Sequence, residues 1–345
     1  MSIQNEGAAN RTGPRRLVFA GEAIVDVVMR IPALPQRGGD VLAESSAVTA
    51  GGGTNVMAAA ARLGLSVLYA GGHGTGPWGD LVRAALAAEG IGLVRAPDPD
   101  RDTGFDVAFV EPDAERTFVT HLGAESVRGP GAWDAVPLEP GDAVYVSGYG
   151  LVAPDSGQVL GQWAAALPPG VLLFVDPGPL VAQIPATVLD PVLSRCDWLS
   201  CNQREAAVLA NRGPAGTGLA DTGPADQGHG APGSPDEVAD PSATARRLLA
   251  RGAAANVLVR AGESGCYAAL LESSAAVHVR APKVTAVDTT GAGDAHSGAF
   301  LAALADGLPP LGAVARANAA AAYAVTRPGP ATAPTRAQLD AWLST

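Results

Sequence analysis

The sequence predicts an α/β fold built on a mostly parallel, doubly wound sheet with helices on both faces. The main observation is a regular alternation of strand-length apolar runs and helix-length segments after position 143, which is typical of parallel strands joined by helices. The predicted strands are 143–147, 171–175 and 197–200, and the predicted helices are about 155–167, about 180–194 and one from Asn202. A length of 345 residues with 47% hydrophobic content allows one large domain. Ligands of such sheets bind beyond the carboxyl ends of strands, where Ser147-Gly148-Tyr149, Asp176 and Asn202 fall.

Charge and cysteine content exclude several classes of function. The chain has 34 acidic and 23 basic residues, a net charge of −11, and its single lysine is Lys283. Nucleic acid and anionic membrane are therefore not expected partners. Cys196, Cys201 and Cys266 lack paired spacing, which argues against disulfides and structural zinc and favours a reducing, cytoplasmic location. No apolar run reaches the roughly 18 to 20 residues of a membrane span, and residues 1–16 are predicted to form a disordered tail.

The first half of the chain opens with two predicted strands, 17–20 and 23–29. Asp26 is the only acidic residue inside the second one. A carboxylate buried in a strand is costly unless something binds it, so Asp26 is a candidate ligand-binding residue. The alternative is an aspartate on an edge strand that faces water.

A run of glycines at positions 51–53 precedes a predicted helix that ends near Leu63, with Gly64 as its C-terminal cap. Glycines before a helix allow a ligand to approach the backbone closely. The Asn55 amide both donates and accepts hydrogen bonds, which suits a sugar hydroxyl. The alternative is a tight turn in front of a packed helix.

Residues 74–79 (GTGPWG) match the G-x-G-x-x-G pattern of dinucleotide-binding turns. They lie between a predicted strand, 66–72, and a predicted helix, 80–89, and Asp98 or Asp100 follows about 20 residues later, as in that motif. However, Pro77 removes one backbone N–H, and Trp78 fills space that a pyrophosphate would need. We therefore do not expect a dinucleotide here.

Two further segments complete the outline of the chain. Runs 103–110 and 116–121 flank a turn and are predicted to form a hairpin, in which Asp106 faces either substrate or solvent. Residues 212–241 are dense in Gly, Pro, Asp and Ala, so they are predicted to be a mobile surface insertion, and His229 within them is not expected to be catalytic. A helix (243–251), a strand (257–260) and a glycine-containing turn (261–265) follow.

The stretch 284–304 (VTAVDTTGAGDAHSGAFLAAL) is the predicted active site. It reads as a strand ending at Val287, a turn with Gly291, Ala292 and Gly293, and a helix of small residues. The first N–H groups of a helix have no intrahelical partners and can bind an anion, and small residues let a phosphate reach the main chain. Asp294, in the first turn, would take a proton from a hydroxyl that attacks this phosphate. The alternative is an ordinary first-turn aspartate favoured by the helix dipole.

Residues 288–294 (DTTGAGD) resemble the C-terminal signature of the ribokinase-like carbohydrate kinases, also called the PfkB family. Two glycines followed by Asn55 at the head of an alanine-rich helix resemble the family's N-terminal signature. The resemblance covers roughly residues 17–345 apart from 212–241. It implies a ribokinase-like fold with a small β lid from about 31–49 and 103–121. Because such lid strands commonly pair between subunits, it also implies a homodimer. His296, Met57 and Ile24 depart from the family pattern, and Ile24 argues against ribose specifically.

The resemblance also implies cofactors and residue roles. The cofactors would be ATP, Mg²⁺ and K⁺, and Mg²⁺ would keep most of its waters. Asp294 would activate a primary sugar hydroxyl, and Gly291, Ala292 and Gly293 would hold the transferring phosphate. The sugar would be bound by Asp26, Gly51, Gly52 and Asn55, with Asp106 as a further candidate. The nucleotide would lie near Asn202, Glu205, Arg260, Gly262, Gly265 and Asn318. Glu205 would hold Mg²⁺ through water, and Asp288, Thr290 and Gly329 would form a monovalent-cation site. Arg260 would touch phosphate or merely neutralise nearby acids.

Other classes of function remain open from sequence. A nucleoside kinase of the same fold would differ only in what the lid pocket accepts, and a sugar-responsive binding protein would need no catalytic base. An NAD-dependent oxidoreductase is a third alternative. The absence of a G-x-x-x-x-G-K-[ST] loop excludes a Walker-type phosphate site and leaves phosphoryl transfer itself open.

Overall fold

The computed structural model describes residues 13–113, 115–127, 129–153, 156–212 and 240–344. The strands in these ranges are β1 (Arg16–Ala20), β2 (Ala23–Arg30), β3 (Ser45–Gly52), β4 (Ser66–Tyr69), β5 (Gly92–Leu93), β6 (Phe105–Val110), β7 (Arg116–His121), β8 (Asp142–Ser147), β9 (Leu172–Asp176), β10 (Trp198–Asn202), β11 (Asn256–Arg260), β12 (Cys266–Leu270) and β13 (Val277–Val279). The helices are α1 (Thr54–Arg62), α2 (Pro77–Ala88), α3 (Gly148–Val152), α4 (Ser156–Ala165), α5 (Ala186–Arg195), α6 (Gln203–Asn211), α7 (Pro241–Ala250), α8 (Ala292–Ala305), α9 (Pro310–Val325) and α10 (Arg336–Leu343).

The larger sheet has nine strands in the order β13-β12-β11-β10-β9-β8-β1-β4-β5. Seven of them pair in parallel, and β12 and β13 add an antiparallel edge. Strand β1 shows why this sheet is buried on both faces: Leu17 and Phe19 pack into one hydrophobic core, whereas Val18 and Ala20 pack into another. The predicted mostly parallel sheet is confirmed.

Helices cover both faces of this sheet. The core that contains Leu17 and Phe19 is closed by α1, α2, α8, α9 and α10, and the opposite core is closed by α3 to α7. The predicted doubly wound arrangement is therefore present. Because the parallel strands end on one edge, the polar residues at the ends of β8, β9, β10 and β11 lie along that edge.

A second sheet of four strands, in the order β3-β2-β6-β7, stands apart from the first. Strands β6 and β7 form the predicted hairpin. The sheet also takes in β2, and the expected lid range 31–49 overlaps it only from Ser45 onward, since residues 31–44 contain no strand. In β2 and β6, Asp26 pairs in register with Asp106, so both carboxylates project from the same face of the sheet.

The prediction of a strand ending at Val287 is wrong. Residues 280–291 contain no strand, and Val284 and Val287 are exposed to 37% and 64%. The larger sheet ends at β13, and the backbone N–H of Val287 donates instead to the carbonyl of Val325 at the end of α9. An apolar run without a neighbouring strand has no ladder to join.

The G-x-G-x-x-G turn ends in a helix terminus that is already occupied. Helix α2 begins at Pro77, three residues before the predicted start. The Asp102 carboxylate accepts the backbone N–H groups of Gly76, Trp78 and Gly79 at 3.1, 3.0 and 2.7 Å. A carboxylate of the chain therefore takes the place that a pyrophosphate would need.

Three sequence expectations concern the tail and the insertion, membrane-spanning helices and the cysteines. Residues 1–12 of the predicted tail and 213–239 of the predicted insertion lie outside the described residues. At the described ends of these segments the predicted disorder is wrong, because Arg16 begins β1 and Pro241 begins α7. In the part of the chain that is described, no helix is long and apolar enough to cross a membrane. Cys196, Cys201 and Cys266 are buried and free.

Candidate active site

The N-terminus of α8 presents an open anion-binding turn. Gly291 adopts φ +72°, a left-handed conformation that favours glycine, and α8 has no side-chain cap. Across the described residues, the backbone N–H groups of Gly293 and Asp294 have no hydrogen-bond acceptor, and that of Ala292 has only a 3.3 Å bond to Thr289. These N–H groups are therefore available to a phosphate.

Close packing of α1 against α8 brings the two signature segments together. A Cβ atom at Gly298 would lie 2.5 Å from the carbonyl oxygen of Val56 and 2.8 Å from the Cβ of Ala59, so only glycine fits this contact. The two helix starts meet beside this contact, where the Asn55 amide donates to Asp294 Oδ2 at 3.2 Å. The side chain of Asn55, predicted to bind sugar, is thus hydrogen-bonded to Asp294, the predicted base.

The environment of Asp294 suits a proton acceptor. Burial and the negative charge of Asp176 raise the pKa of Asp294 to about 6, while the hydrogen bond from Asn55 and the charge of Arg260 act in the opposite direction. A carboxylate whose pKa lies near neutrality can take a proton from an attacking hydroxyl and release it afterwards.

Asp26 and Asp106 form a pair of carboxylates on the cleft side of the second sheet. Burial, followed by the charges of Asp106 and Asp294, raises the pKa of Asp26 to about 7, and burial raises that of Asp106 to about 6. A Cβ at Gly51 would lie 1.9 Å from Asp26 Oδ1, so a side chain there would displace the carboxylate. Next to it, Gly52 adopts φ +56° at the end of β3. Both aspartates are partly buried, unlike the water-facing alternatives.

Arg260 gathers acidic groups at the carboxyl ends of β9, β10 and β11. Its guanidinium donates to Asp176 Oδ2 at 2.8 Å and to Ser200 Oγ at 2.6 Å, and it lies 3.7 Å from Glu205 Oε2. Burial alone would lower the pKa of Arg260, but the charge and hydrogen bond of Asp176 raise it above the usual range. A Cβ at Gly293 would lie 3.5 Å from this guanidinium, so Arg260 sits beneath the glycine turn. Arg260 thus pairs with these acids at a point next to the glycine turn.

Asn202 and Glu205 form the cap at the start of α6. The Asn202 side chain accepts the N–H of Glu205 at 2.9 Å, and Glu205 accepts the N–H of Asn202 at 2.8 Å, which is a reciprocal capping box. Glu205 is 4% exposed. Burial and the charge of Asp176 raise its pKa, so a nearby cation would stabilise its charged form.

The remaining nucleotide candidates lie around the end of β11. Gly262 (φ +56°) faces open space, whereas a Cβ at Gly265 (φ +101°) would lie 2.3 Å from the carbonyl oxygen of Val279. Asn318 is buried, and its amide donates to that same carbonyl at 2.8 Å. Asn318 and Gly265 therefore shape the wall of this region, while Gly262 leaves backbone accessible to a ligand.

The expected cation residues surround the Asp288 carboxylate. Oδ1 accepts the N–H and the hydroxyl of Thr290 at 2.9 and 2.6 Å, and Oδ2 accepts the N–H of Gly329 at 3.0 Å. Arg116, from β7, adds a fourth donor at 2.8 Å on Oδ1. Burial would raise the pKa of Asp288, but these hydrogen bonds and the charge of Arg116 lower it overall.

Comparison with known proteins identifies the family. Residues 14–336 match the model described as pfkB family carbohydrate kinase. The chain belongs to this family. As a pfkB kinase it is an ATP-dependent phosphotransferase, which confirms the resemblance and the class of enzyme expected from residues 288–294.

The relatives agree with this assignment. The pfkB kinase is 31% identical over 329 residues to the uncharacterized sugar kinase YegV of Escherichia coli K12, covering 95% of this chain and 94% of the relative. Ribokinase from Thermotoga maritima superposes with a TM-score of 0.74 at 23% identity, covering 96% and 99% of the two chains. Aminoimidazole riboside kinase from Salmonella enterica, solved with aminoimidazole riboside and an ATP analogue, has a TM-score of 0.71 at 22% identity, with 95% and 100% covered. The ribokinase-like fold is confirmed.

Sequence reasoning missed three contributors to this pfkB kinase site. Asp176 and Tyr149 were recognised only as strand-end residues. Asp176 is the main partner of Arg260, and Tyr149 is half exposed, with a pKa raised to about 12 by burial and then by the charges of Asp294 and Asp106. Arg116 had no signal at all, because its partner Asp288 lies 172 residues away.

His296, one of the departures from the family pattern, is buried in the second turn of α8. Neither ring nitrogen makes a hydrogen bond of good geometry to the described residues, and the pKa is lowered to about 3 by burial and by the charge of Arg260. The ring is therefore neutral and packs behind the site.

Proposed function

We propose that this chain transfers the γ-phosphoryl group of ATP to a primary hydroxyl of a neutral sugar, with Asp294 as general base. One observation carries the proposal: Asp294 lies at the uncapped N-terminus of α8, is held by Asn55 at 3.2 Å, and has a pKa of about 6. A proton acceptor and an anion-binding turn on adjacent residues are the two groups that phosphoryl transfer to an alcohol requires.

The proposed reaction uses these groups in one step. The sugar hydroxyl oxygen attacks the γ-phosphorus, its proton passes to the Asp294 carboxylate, and the bond to the bridging oxygen breaks to release ADP. The backbone N–H groups of Gly293, Ala292 and Asp294 would hold the phosphoryl oxygens as negative charge redistributes among them. Arg260, beneath the turn, would keep this negative end of the cleft from repelling the nucleotide.

The acceptor is proposed to be neutral because of the carboxylates that face it. Asp26 and Asp106 lie in register on the cleft face of the second sheet, and each can accept hydrogen bonds from sugar hydroxyls. An anionic sugar would place a further negative charge beside these two aspartates and Asp294, which costs binding energy. Gly51, Gly52 and Asn55 would complete this side of the pocket.

The nucleotide is proposed to lie along Gly262 and Gly265, with its phosphates toward Arg260 and the glycine turn and its base toward Asn318. Glu205 and Asn202 would face hydrated Mg²⁺ near the phosphates. Mg²⁺ would offset the charge of the transferring group. Burial and the charge of Asp176, which together raise the pKa of Glu205, support a divalent cation at this point.

We also propose that the molecule forms a homodimer through the second sheet and acts in the cytoplasm. Alternation along the strands puts Val48 and Val119 on the face opposite Asp106, and they are 45% and 61% exposed. An apolar face of this kind is typical of a protein interface.

The test is ADP release from ATP and Mg²⁺ across pentoses, hexoses, keto-sugar acids and nucleosides, with Asp294→Asn beside the native protein. We expect turnover with a neutral sugar, and a loss of about 10² to 10⁴ in kcat for the variant, as is usual when an acid–base group is removed. ATP binding by the variant, measured by calorimetry, should be retained. Turnover with nucleosides alone would show that the acceptor is a nucleoside and not a sugar. Full activity of Asp294→Asn would show that Asp294 is not the general base.

A further inference from the structure

Arg116 connects the second sheet to the loop in front of the phosphate turn. It is the first residue of β7, an edge strand of that sheet, and its guanidinium donates to Asp288 Oδ1 at 2.8 Å. The two side chains are only 29% and 12% exposed, so this ion pair is partly shielded from water and salt. Asp288 stands three residues before Gly291, where the anion-binding turn begins.

The Oδ1 atom of the Asp288 carboxylate has no acceptor capacity left for a metal ion. The two carboxylate oxygens together receive four hydrogen bonds, from the Thr290 N–H, the Thr290 hydroxyl, the Gly329 N–H and Arg116. An ionised carboxylate has about four acceptor sites, two on each oxygen, and three of the four donors lie on Oδ1. A potassium ion bound at Oδ1 would have to displace one of these donors. Oδ2 already accepts the Gly329 N–H, and the positive charge of Arg116 on the same carboxylate would repel a cation there. As arranged, these residues do not fit a resident monovalent cation.

The loop that carries Gly329 is also fixed from its other side. Arg62, in α1, donates to the carbonyl oxygens of Ala331 and Ala333, and it is paired with Glu89. A Cβ at Gly291 would lie 3.7 Å from the backbone nitrogen of Ala331, so this loop packs directly against the turn. The backbone behind the anion-binding turn is thus held by side chains of the chain itself.

We propose that Arg116 is a positioning residue that supplies, from within the chain, the positive charge that a monovalent cation would otherwise place at Asp288, so that phosphoryl transfer needs no potassium. The catalytic part of this inference rests on the function proposed above. The guanidinium offsets the Asp288 charge and holds the carboxylate, which in turn fixes the Thr290 backbone next to the turn. Because Arg116 belongs to the second sheet, this charge also ties that sheet to the phosphate turn.

The test compares kcat in potassium chloride and in tetramethylammonium chloride at equal ionic strength. We expect the native protein to differ between the two salts by less than about twofold. Arg116→Ala should lose about tenfold or more in tetramethylammonium, below the loss for a direct oxyanion donor because Arg116 acts through Asp288, and should recover in potassium. Arg30→Ala, which removes an exposed arginine from β2 of the same sheet, serves as the matched control and should behave as the native protein.

A second readout needs no turnover. Without substrates, the melting temperature of the native protein and of Arg30→Ala should be the same in both salts, whereas that of Arg116→Ala should be higher in potassium. If no acceptor supports turnover, the proposed function fails and the melting temperatures still decide this inference. If Arg116→Ala does not fold, Arg116→Gln takes its place and Arg116→Lys, which retains the charge, should remain insensitive to potassium.

Two results would overturn the proposal. One is strong potassium activation of the native protein. The other is a loss of kcat in Arg116→Ala that is equal in both salts, because potassium would then not replace the positive charge of the guanidinium.

Discussion

Three aspartates from distant parts of the chain face one cleft, and each lies where its negative charge is disfavoured. Asp26, Asp106 and Asp294 have pKa values of about 7, 6 and 6 because burial and, for Asp26 and Asp294, neighbouring carboxylates oppose ionisation. Raised carboxylate pKa values are typical of functional sites, where charged groups are placed to bind a ligand more than to stabilise the fold. Hydrogen bonds from the hydroxyls of the proposed sugar would stabilise the ionised forms of these carboxylates.

The raised pKa of Asp26 makes the free energy of unfolding depend on pH. In the folded protein its pKa is about 7, against 3.8 for the ordinary group, so the folded state holds this proton more tightly than the unfolded state. The free energy of unfolding therefore falls as pH rises from about 4 to 7. Asp26→Asn removes this penalty and should raise the free energy of unfolding at pH 8 by about 1 to 2 kcal/mol, a value reduced because the cleft is open to water, with little gain near pH 4.

Urea unfolding at both pH values measures this difference. Asp40→Asn, the same charge change at an exposed position, is the control and should change the free energy of unfolding little at either pH. A gain for Asp26→Asn that is larger at pH 4 than at pH 8 would contradict the assigned pKa shift.

Sequence alone could single out some of these residues and not others. Asp26 and Asp294 stand out because a lone acid in a strand and an acid beside a glycine turn both need an explanation. The pairing of Asp26 with Asp106 depends on strand register, which neither strand specifies on its own. Arg116 is one arginine among many in the sequence, and only the tertiary fold brings it to Asp288.

At the scale of elements, the site depends on how closely α1 and α8 approach. Both helices were predicted from their glycine starts and alanine-rich sequences. Their contact could not be predicted, because α8 is buried on nearly all sides and its sequence has no distinct apolar face. Glycine at position 298 allows the approach that sets the Asn55–Asp294 hydrogen bond.

Gly298→Ala tests this packing. Its new methyl group would lie 2.5 Å from the Val56 carbonyl oxygen, so the helices must separate. We expect the free energy of unfolding to fall by about 1 to 3 kcal/mol, as for other overpacked cores. We also expect kcat to fall, because Asn55 and Asp294 move apart. Chemical denaturation and steady-state kinetics measure the two effects.

Gly312→Ala is the matched control, because it makes the same change inside α9. Its nearest neighbours would be ring carbons of Pro309 at 3.5 Å, an ordinary contact. Replacing a helical glycine by alanine there should be neutral or stabilising by up to about 1 kcal/mol. Equal effects of the two substitutions would show that the α1–α8 contact is not specially tight.

The missed element before the turn has a similar cause. Apolar residues at 284–287 resemble a strand locally, but a strand also needs a free edge beside it, and β13 closes the sheet at Val279. The segment bonds to the end of α9 instead. A local pattern cannot report whether a pairing partner exists.

For the whole molecule, the alternation of strands and helices was sufficient to predict the parallel sheet and its ligand-binding edge. Only part of the second sheet was predicted. Its four strands come from separate parts of the chain, and the sequence of β2 resembles a continuation of β1. Its exposed apolar face is the basis for the proposed dimer.

Val119→Glu tests that dimer. A charge on the outer face of β7, where Val119 is 61% exposed, should weaken self-association by at least about tenfold, as for a central interface residue. Leu271→Glu, at an exposed position on the turn after β12, should have no effect. Sedimentation velocity over a range of concentrations distinguishes the two. A native protein that sediments as a monomer at all concentrations would dismiss the interface.

Asp102 has a consequence for an acidic protein that must attract a polyanion. The glycine turns before α2 and α8 would compete for the same phosphates if both were open. At α2 the chain has supplied its own anion, which accepts three backbone N–H groups, whereas at α8 these groups stay free. Between these two turns, the choice of where a nucleotide's phosphates settle is therefore made when the protein folds, before any nucleotide arrives.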